Sequence, residues 1–370
     1  MSGGSGKTAL LAAGGTGGHL FPALSLREAL LKRGWRVAIA TDKRAGAYIS
    51  GVPAEDFSAI EAATITAGNP LKAAISVMKL GRGVLQSRKI ISRLKADIVV
   101  GFGGYPTVPP LVAARSLGVA ALVHEQNAVL GRANRFLLKA GAALATGFPD
   151  PKGAEAAKKV VFTGNPVRAM VLAAAERPYE PLGSEGKFHL LVFGGSQGAR
   201  VFSELVPQAV RLMPEELRAR LDLVQQCRPE DLEAARADYA AAGITPDLEP
   251  FFGDLPGRIA AAHLVISRAG ASTVSELAVI GRPAILVPLP HALDQDQAAN
   301  ARLLDDIGGG WLMEQKTLTP EKLASTLADL IARPDRLAEA AAAARKAGRP
   351  DGAERLADAV EALSERGIQS

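Results

Sequence analysis

The chain has 370 residues, too many for one ordinary core and about right for two domains. Its 48% hydrophobic and 22% charged residues exclude extensive disorder, and a single cysteine, Cys227, excludes a disulfide framework and suits a reducing cytoplasm. A net charge of +5 suits phosphorylated substrates or an anionic membrane surface, whereas only 5% aromatic residues, with no basic run interleaved among them, argue against nucleic acid.

Residues 1–7 are small and polar, without the apolar stretch of a signal peptide, and no uncharged apolar run reaches the roughly 18 residues of a spanning helix. Any action at a membrane is therefore expected from its surface. Residues 8–13 read as a strand, and 21–33 as a helix with Pro22 near its first turn and Gly34 as its stop. A strand at 35–41 follows, then strands at 97–102, 121–124 and 160–163, with helical patterns at 71–94, 108–117 and 133–140. Strands alternating with helices predict a parallel sheet covered on both faces. A proline- and glycine-bearing stretch, 176–183, reads as an interdomain connection. The pattern then restarts, with strands at 188–193, 221–226, 263–267 and 284–287. The amphipathic helix at 352–365 either caps the second domain or crosses back to the first, and the second arrangement is the one expected.

Two glycine loops of nearly the same spelling stand 180 residues apart, Gly14-Gly15-Thr16-Gly17-Gly18-His19 and Gly194-Gly195-Ser196-Gln197-Gly198-Ala199. Each follows a strand and precedes a helix. A loop of this kind turns backbone N–H groups and the positive end of a helix dipole toward an anion, so each is a diphosphate site, and the pair predicts two facing halves with a cleft between them.

Other motifs carry less. Gly6-Lys7-Thr8 resembles the end of a P-loop, but no strand precedes it; the dinucleotide fingerprint fails because its third glycine would be Leu20. Gly194, Ser196 and Gly198 fit a nucleophile elbow, with Asp254 and either His263 or His291 as partners, yet phosphate cradling explains both loops and an elbow only one. Asp294 and Asp296 resemble a metal-binding pair but read more simply as acids opening a helix. In the run Ser267 to Glu276, Glu276 in a first helical turn either accepts from a ribose diol or closes a capping box with Thr273.

Taken in order, Gly14 to His19, His124-Glu125-Gln126-Asn127, Gly164-Asn165-Pro166-Val167-Arg168, Gly194 to Arg200, Ser267 to Glu276 and Pro288 to Asn300 closely resemble the MurG family over nearly the whole chain. The resemblance implies an α/β protein of the GT-B class, two Rossmann-like doubly wound domains with the active site in the cleft between them. It implies an inverting, UDP-GlcNAc-dependent hexosyltransferase that moves GlcNAc to the C4 hydroxyl of the muramoyl sugar of lipid I, giving lipid II with a β(1→4) bond for cell-wall synthesis, and so for cell division and shape. The expected domains are 1–165, acceptor- and membrane-facing, joined by 350–366, and 166–349, which binds UDP-GlcNAc. Expected partners are UDP-GlcNAc, lipid I, the anionic cytoplasmic face of the inner membrane and cell-wall or divisome proteins. The alternatives are another GT-B enzyme, such as a UDP-GlcNAc epimerase or a glycolipid synthase, and a non-catalytic nucleotide-sugar-binding module.

Carried over by resemblance, Thr16, Gly17 and Gly18 contact the nucleotide sugar, Asn127 reaches the donor sugar, Arg168 and Ser196 lie near the diphosphate, Gln297 holds the GlcNAc hydroxyls and Glu276 the ribose. One departure is Asp296, where some members carry glutamine or histidine. The chemistry can also be argued from the residues. Arg168, Ser196 and the amides of 195–198 can neutralise the leaving diphosphate, so no metal or other cofactor is expected. His19 is the candidate general base, because imidazole titrates near neutrality; the competing role is to hydrogen-bond the loop or the acceptor diphosphate. His124 ends a strand predicted to be buried and reads as structural. Residues 71–85, with Arg88 and Lys89, mix apolar groups and cations without an acid: either an interfacial segment or a solvated helix packing its apolar side on the sheet.

Overall fold

The computed structural model describes residues 6–42, 51–62, 70–195, 198–292 and 295–366. The chain divides into two compact units, Met1–Arg168 with Pro350–Ser370, and Ala169–Arg349.

In the first unit the order is β1 (Thr8–Ala12), α1 (Gly17–Lys32), β2 (Arg36–Thr41), β3 (Phe57–Ala59), α2 (Pro70–Leu94), β4 (Ile98–Gly101), α3 (Val108–Ser116), β5 (Ala120–Glu125), α4 (Arg132–Lys139), β6 (Ala143–Thr146) and β7 (Val160–Phe162). The sheet runs β3-β2-β1-β4-β5-β6-β7, with every pair parallel. Successive side chains serve opposite faces: Ala9, Leu11, Ile98 and Val100 enter one core, and Leu10, Ala12 and Val99 the other. Two covered faces need apolar groups at every position, which is why these strands read as unbroken apolar runs.

The second unit continues with α5 (Ala169–Ala175), β8 (Phe188–Phe193), α6 (Arg200–Leu212), α7 (Glu215–Arg218), β9 (Leu221–Gln226), α8 (Leu232–Ala241), β10 (Asp247–Glu249), α9 (Leu255–Ala261), β11 (Leu264–Ser267), α10 (Ala271–Ile280), β12 (Ala284–Leu286), α11 (Asp296–Asp305), β13 (Gly310–Leu312), α12 (Pro320–Ala332) and α13 (Pro334–Ala347). Its sheet is β10-β9-β8-β11-β12-β13, again all parallel.

The last helix, α14 (Gly352–Arg366), belongs to the first unit. Leu356, Ala357 and Val360 enter the core shared with α1, and Arg33 beyond α1 pairs with Glu354, Asp358 and Glu361 at 2.6, 2.7 and 2.9 Å. Those acids recur at helical spacing and so share one face.

Three readings of the sequence need correction. Helix α1 begins at Gly17 and not at 21, so Pro22 lies inside it; the N–H groups of His19 and Leu20 both reach the Thr16 carbonyl, at 3.1 and 3.0 Å. Glycine propensity predicted a loop here, but packing holds the turn helical. The stretch 176–183 is no connection. Arg282, almost wholly buried, donates to the carbonyls of Arg177 and Pro178 at 3.2 and 2.9 Å, and Tyr179 donates to the His263 carbonyl at 3.3 Å, so these residues pack inside the second unit. Burial lowers the Arg282 guanidinium to about 10, and five backbone carbonyls compensate it. Finally, the two glycine loops are not backbone copies. The first enters helix two residues after Gly15, whereas the second places Gly195 and Gly198 at φ of 87° and 68° and enters helix only at Arg200.

Both loops follow the strand at which strand order reverses, β1 beside β4 and β8 beside β11. In doubly wound sheets that point opens a crevice at the carboxyl ends of the strands, where ligands bind.

Candidate active site

At the end of β1, the Gly14 N–H donates to the Gly103 carbonyl at 3.2 Å, joining the first glycine loop to the turn after β4. Gly103 and Gly104 sit at φ of 88° and 77°, a conformation that costs glycine little. The half-buried imidazole of His19 lies against both loops, and its Nδ1 is 3.0 Å from the Thr16 hydroxyl. A Cβ on Gly17 would stand 3.0 Å from the Phe21 ring, and the guanidinium of Arg168 lies over that same ring, 4.6 Å from its centroid. Arg168 therefore stands beside the first glycine loop, a neighbour that the sequence did not suggest.

The end of β5 carries a second group. His124 is fully buried; its Nε2 lies 3.3 Å from the Gly164 carbonyl and its Nδ1 accepts from Gln126 at 3.0 Å. Burial pushes its pKa down to about 4, so the ring is neutral at physiological pH and serves structure. Glu125, also buried, accepts four hydrogen bonds, from the N–H groups of Asn127 and Gly131 and the side-chain amides of Asn127 and Asn134, at 2.7 to 3.2 Å. Burial raises its pKa and the four donors oppose that shift. Asn134 continues the series, because a Cβ on Gly103 would stand 3.6 Å from its Nδ2. Asn127, Glu125, Asn134, Gly103 and His19 thus form one chain of neighbours. The sequence quoted Glu125 without assigning it a role and missed Asn134 and Gly103; its one signal was a pair of glycines after a strand.

In the second unit, the Gly194 N–H donates to Gln226 Oε1 at 3.1 Å, and Gly198 packs against the Arg228 side chain. Ser196 and Gln197 lie outside the described residues. The turn after β11 reaches its neighbours through Arg268, which donates to the carbonyls of Val287 and Pro288 at 3.1 and 3.2 Å, and through Asn300, which donates to the Ala269 carbonyl at 3.1 Å. Gln297 Oε1 accepts from the Leu289 N–H at 3.0 Å, so this side chain braces the loop before α11. Glu276 is almost fully buried in the second turn of α10, whose N-cap is Gly270. Neither the capping box with Thr273 nor a first-turn position survives. Asp296 opens α11 and its carboxylate accepts from the Gln297 N–H at 2.7 Å, as a helix-opening acid does; Asp294 lies outside the described residues.

Two of the partners considered for a nucleophile elbow, Asp254 and His263, have structural duties. Asp254 caps α9 by accepting from Gly257, and His263 Nδ1 accepts from the His189 N–H at 2.9 Å.

Comparison with known proteins agrees with this layout. Residues 9–146 match the glycosyltransferase family 28 N-terminal domain, and residues 189–356 match its C-terminal domain. A curated relative from Chelativorans sp. (strain BNC1), the UDP-N-acetylglucosamine–N-acetylmuramyl-(pentapeptide) pyrophosphoryl-undecaprenol N-acetylglucosamine transferase, is 54% identical over 97% of this chain and 96% of its own. The crystal structure of Acinetobacter baumannii MurG, 31% identical, superposes with a TM-score of 0.79 over 96% of this chain and 100% of that one. The chain belongs to the MurG family.

The two parallel-sheet units are accordingly the Rossmann-like domains of a GT-B protein, as the sequence predicted. A likeness to a putative UDP-N-acetylglucosamine 2-epimerase from Listeria monocytogenes, with a TM-score of 0.69 at 17% identity over 97% of each chain, shows the fold alone. Of the residues expected from the MurG resemblance, Thr16, Gly17, Gly18, His19, Asn127 and Arg168 gather in the first unit, and Glu276 and Gln297 lie in the second.

Proposed function

We propose that this protein transfers GlcNAc from UDP-GlcNAc to the C4 hydroxyl of the muramoyl sugar of lipid I, forming lipid II for peptidoglycan synthesis. The match that carries this reading is the transferase at 54% identity over nearly the whole of both chains. In the reaction the acceptor oxygen bonds to the anomeric carbon, the bond from that carbon to the diphosphate breaks, and UDP leaves with the electron pair. Attack from the face opposite UDP inverts the centre and gives a β(1→4) linkage. His19 takes the hydroxyl proton. Thr16, Gly17, Gly18 and Asn127 contact the donor sugar, Glu276 the ribose and Gln297 the GlcNAc hydroxyls. Arg168, Ser196 and the amides of the second glycine loop neutralise the charge that grows on the diphosphate, a task a metal would otherwise perform. In this reading 1–165 with 350–366 receives the acceptor, and 166–349 holds UDP-GlcNAc.

The assay that tests this reading follows UDP release from labelled UDP-GlcNAc with a short-chain lipid I analogue, with and without EDTA. A transferase releases UDP only with acceptor present, and equally in chelator. Conversion of the donor without acceptor would identify an epimerase, UDP binding without turnover a binding module, and loss of activity in EDTA a metal-dependent enzyme.

Among the described residues no helix is long and apolar enough to cross a membrane. We assign the protein to the cytoplasmic face of the inner membrane, with α2 as its contact. Ile75, Val77, Met78 and Leu85 are 41%, 58%, 52% and 63% exposed, so α2 does not pack these side chains on the sheet. Lys79, Arg82 and Lys89 are exposed among them. The side chains of Leu71, Lys72 and Ala73, which complete the predicted segment, lie outside the description. Apolar side chains entering the headgroup layer while cations meet anionic lipid would hold the enzyme near its acceptor. Flotation with phosphatidylglycerol vesicles is expected to weaken by about 30-fold or more in the Lys79→Glu plus Arg82→Glu variant, each lost cation being worth about 1 kcal/mol at such a surface and the introduced acids adding repulsion. Unchanged flotation would assign α2 a solvated role. Cell-wall and divisome proteins are the protein partners proposed at that surface.

A further inference from the structure

Thr16 stands at the N-cap of α1 with extended backbone, φ −117° and ψ 152°, and its side chain makes no capping bond. Threonine there ordinarily accepts from the second or third N–H of the helix, a bond worth about 1 kcal/mol. Here the N–H of His19, the third helical residue, goes to the Thr16 carbonyl, while the Thr16 hydroxyl lies 3.0 Å from His19 Nδ1. The ring is confined on two further sides. A Cβ on Gly14 would stand 3.1 Å from Nδ1, and one on Gly103 would stand 3.1 and 3.2 Å from Cδ2 and Nε2. Any larger residue at either position would displace the imidazole by a few tenths of an ångström. Gly14 has no positive φ, so its lack of a side chain is explained by this approach and not by backbone strain.

We propose that Thr16 is a positioning residue for His19, accepting its Nδ1–H so that Nε2 receives the acceptor's proton, and that Gly14 is a glycine because it lines the slot for the ring, whose other wall is Gly103, a glycine that its φ of 88° also favours. The inference rests on His19 being the general base. One hydroxyl lone pair serves both states of the ring: Nδ1–H donates to Oγ1 in the neutral form that accepts the proton and again in the imidazolium that results, so orientation holds through transfer. A misplaced ring loses near-attack geometry without losing its basicity.

The test compares Thr16→Val, Thr16→Ser and Gly14→Ala, each alone and combined with His19→Ala. Thr16→Val is expected to lower kcat by roughly 10- to 100-fold with KM for UDP-GlcNAc within about threefold, and Thr16→Ser to restore kcat to within about threefold. Gly14→Ala is expected to lower kcat by about 10-fold or more at an unchanged thermal midpoint, and neither loss to recur in the His19→Ala background, where the group being positioned is gone. Should Gly14→Ala fail to fold, the Thr16 pair decides. Equal losses with and without His19, or a raised KM at unchanged kcat, would show Thr16 acting through its donor contact alone and overturn the proposal. If His19→Ala loses turnover while Thr16→Val keeps it, the positioning role alone falls. If His19→Ala itself turns over normally, the general-base reading falls and takes this inference with it.

Discussion

Replacing His19 by alanine is expected to cut kcat by roughly 10²- to 10⁴-fold while the affinity for UDP-GlcNAc stays within about threefold. The magnitude is that of one general base. The acceptor alcohol is a weak nucleophile, and the proton it sheds must leave as the glycosidic bond forms. Imidazole suits that task near neutrality, and this ring reaches its place through the Thr16 hydroxyl and the approach of Gly14 and Gly103. The other histidine near these loops, His124, is a poor substitute because it is fully buried and both its ring nitrogens have partners. Affinity and turnover should separate because most donor contacts in the proposed mechanism, those of Gly17, Gly18, Asn127, Arg168, Glu276 and Gln297, do not involve the imidazole. Equilibrium binding of UDP-GlcNAc beside steady-state kinetics checks this. Full turnover in the variant would remove His19 from the mechanism, and a parallel loss of affinity would make it a substrate ligand.

Replacing Glu125 by alanine is expected to destabilise the first unit by about 3–5 kcal/mol, read as a fall of roughly 6–20 °C in its thermal midpoint, and to reduce activity in whatever remains folded. The carboxylate takes two backbone N–H groups, from Asn127 and Gly131, and two side-chain amides, from Asn127 and Asn134. Asn134 is almost wholly buried, so its amide donor, left without the carboxylate, cannot turn to bulk water, and each stranded donor costs about 1–3 kcal/mol. The total is held down because the charged carboxylate is itself disfavoured by burial, which raises its pKa. Glu125→Gln keeps the volume but offers one acceptor oxygen in place of two, and should fall between alanine and the parent. Calorimetry of the three proteins decides; an unshifted midpoint in the alanine variant would mean that the loop from 126 to 131 is held by other contacts.

How far the site could be read in advance differs residue by residue. The first glycine loop, Thr16 and His19 were legible because a glycine run after an apolar strand has few uses besides close approach of a ligand or another backbone. Glu125 was visible as a residue but not as a hub, since its donors come from positions 127, 131 and 134, which share its side chain only once α4 has packed. Arg168 was expected at the diphosphate through the MurG resemblance, whereas its seat over Phe21 depends on where the segment after β7 runs.

The sequence by itself determined the class of fold and the strands at its centre. Runs such as those at 9–13, 98–102 and 190–193 carry no polar side chain at consecutive positions, and only a sheet covered on both faces uses every one of them. The tertiary structure alone decided the strands β3, β6, β10 and β13, of which β3, β10 and β13 lie at sheet edges, each held by the neighbour it pairs with. It also decided that 176–183 is packed and not a tether, through one buried arginine, Arg282, that joins the carbonyls of Arg177 and Pro178 to that of Ala260 and to those of its own neighbours Ile280 and Gly281. Two loops of nearly one spelling took different backbones for the same reason. Local sequence sets which conformations a glycine run can adopt, and the partners brought to it, Gly103 for one loop and Gln226 for the other, select among them.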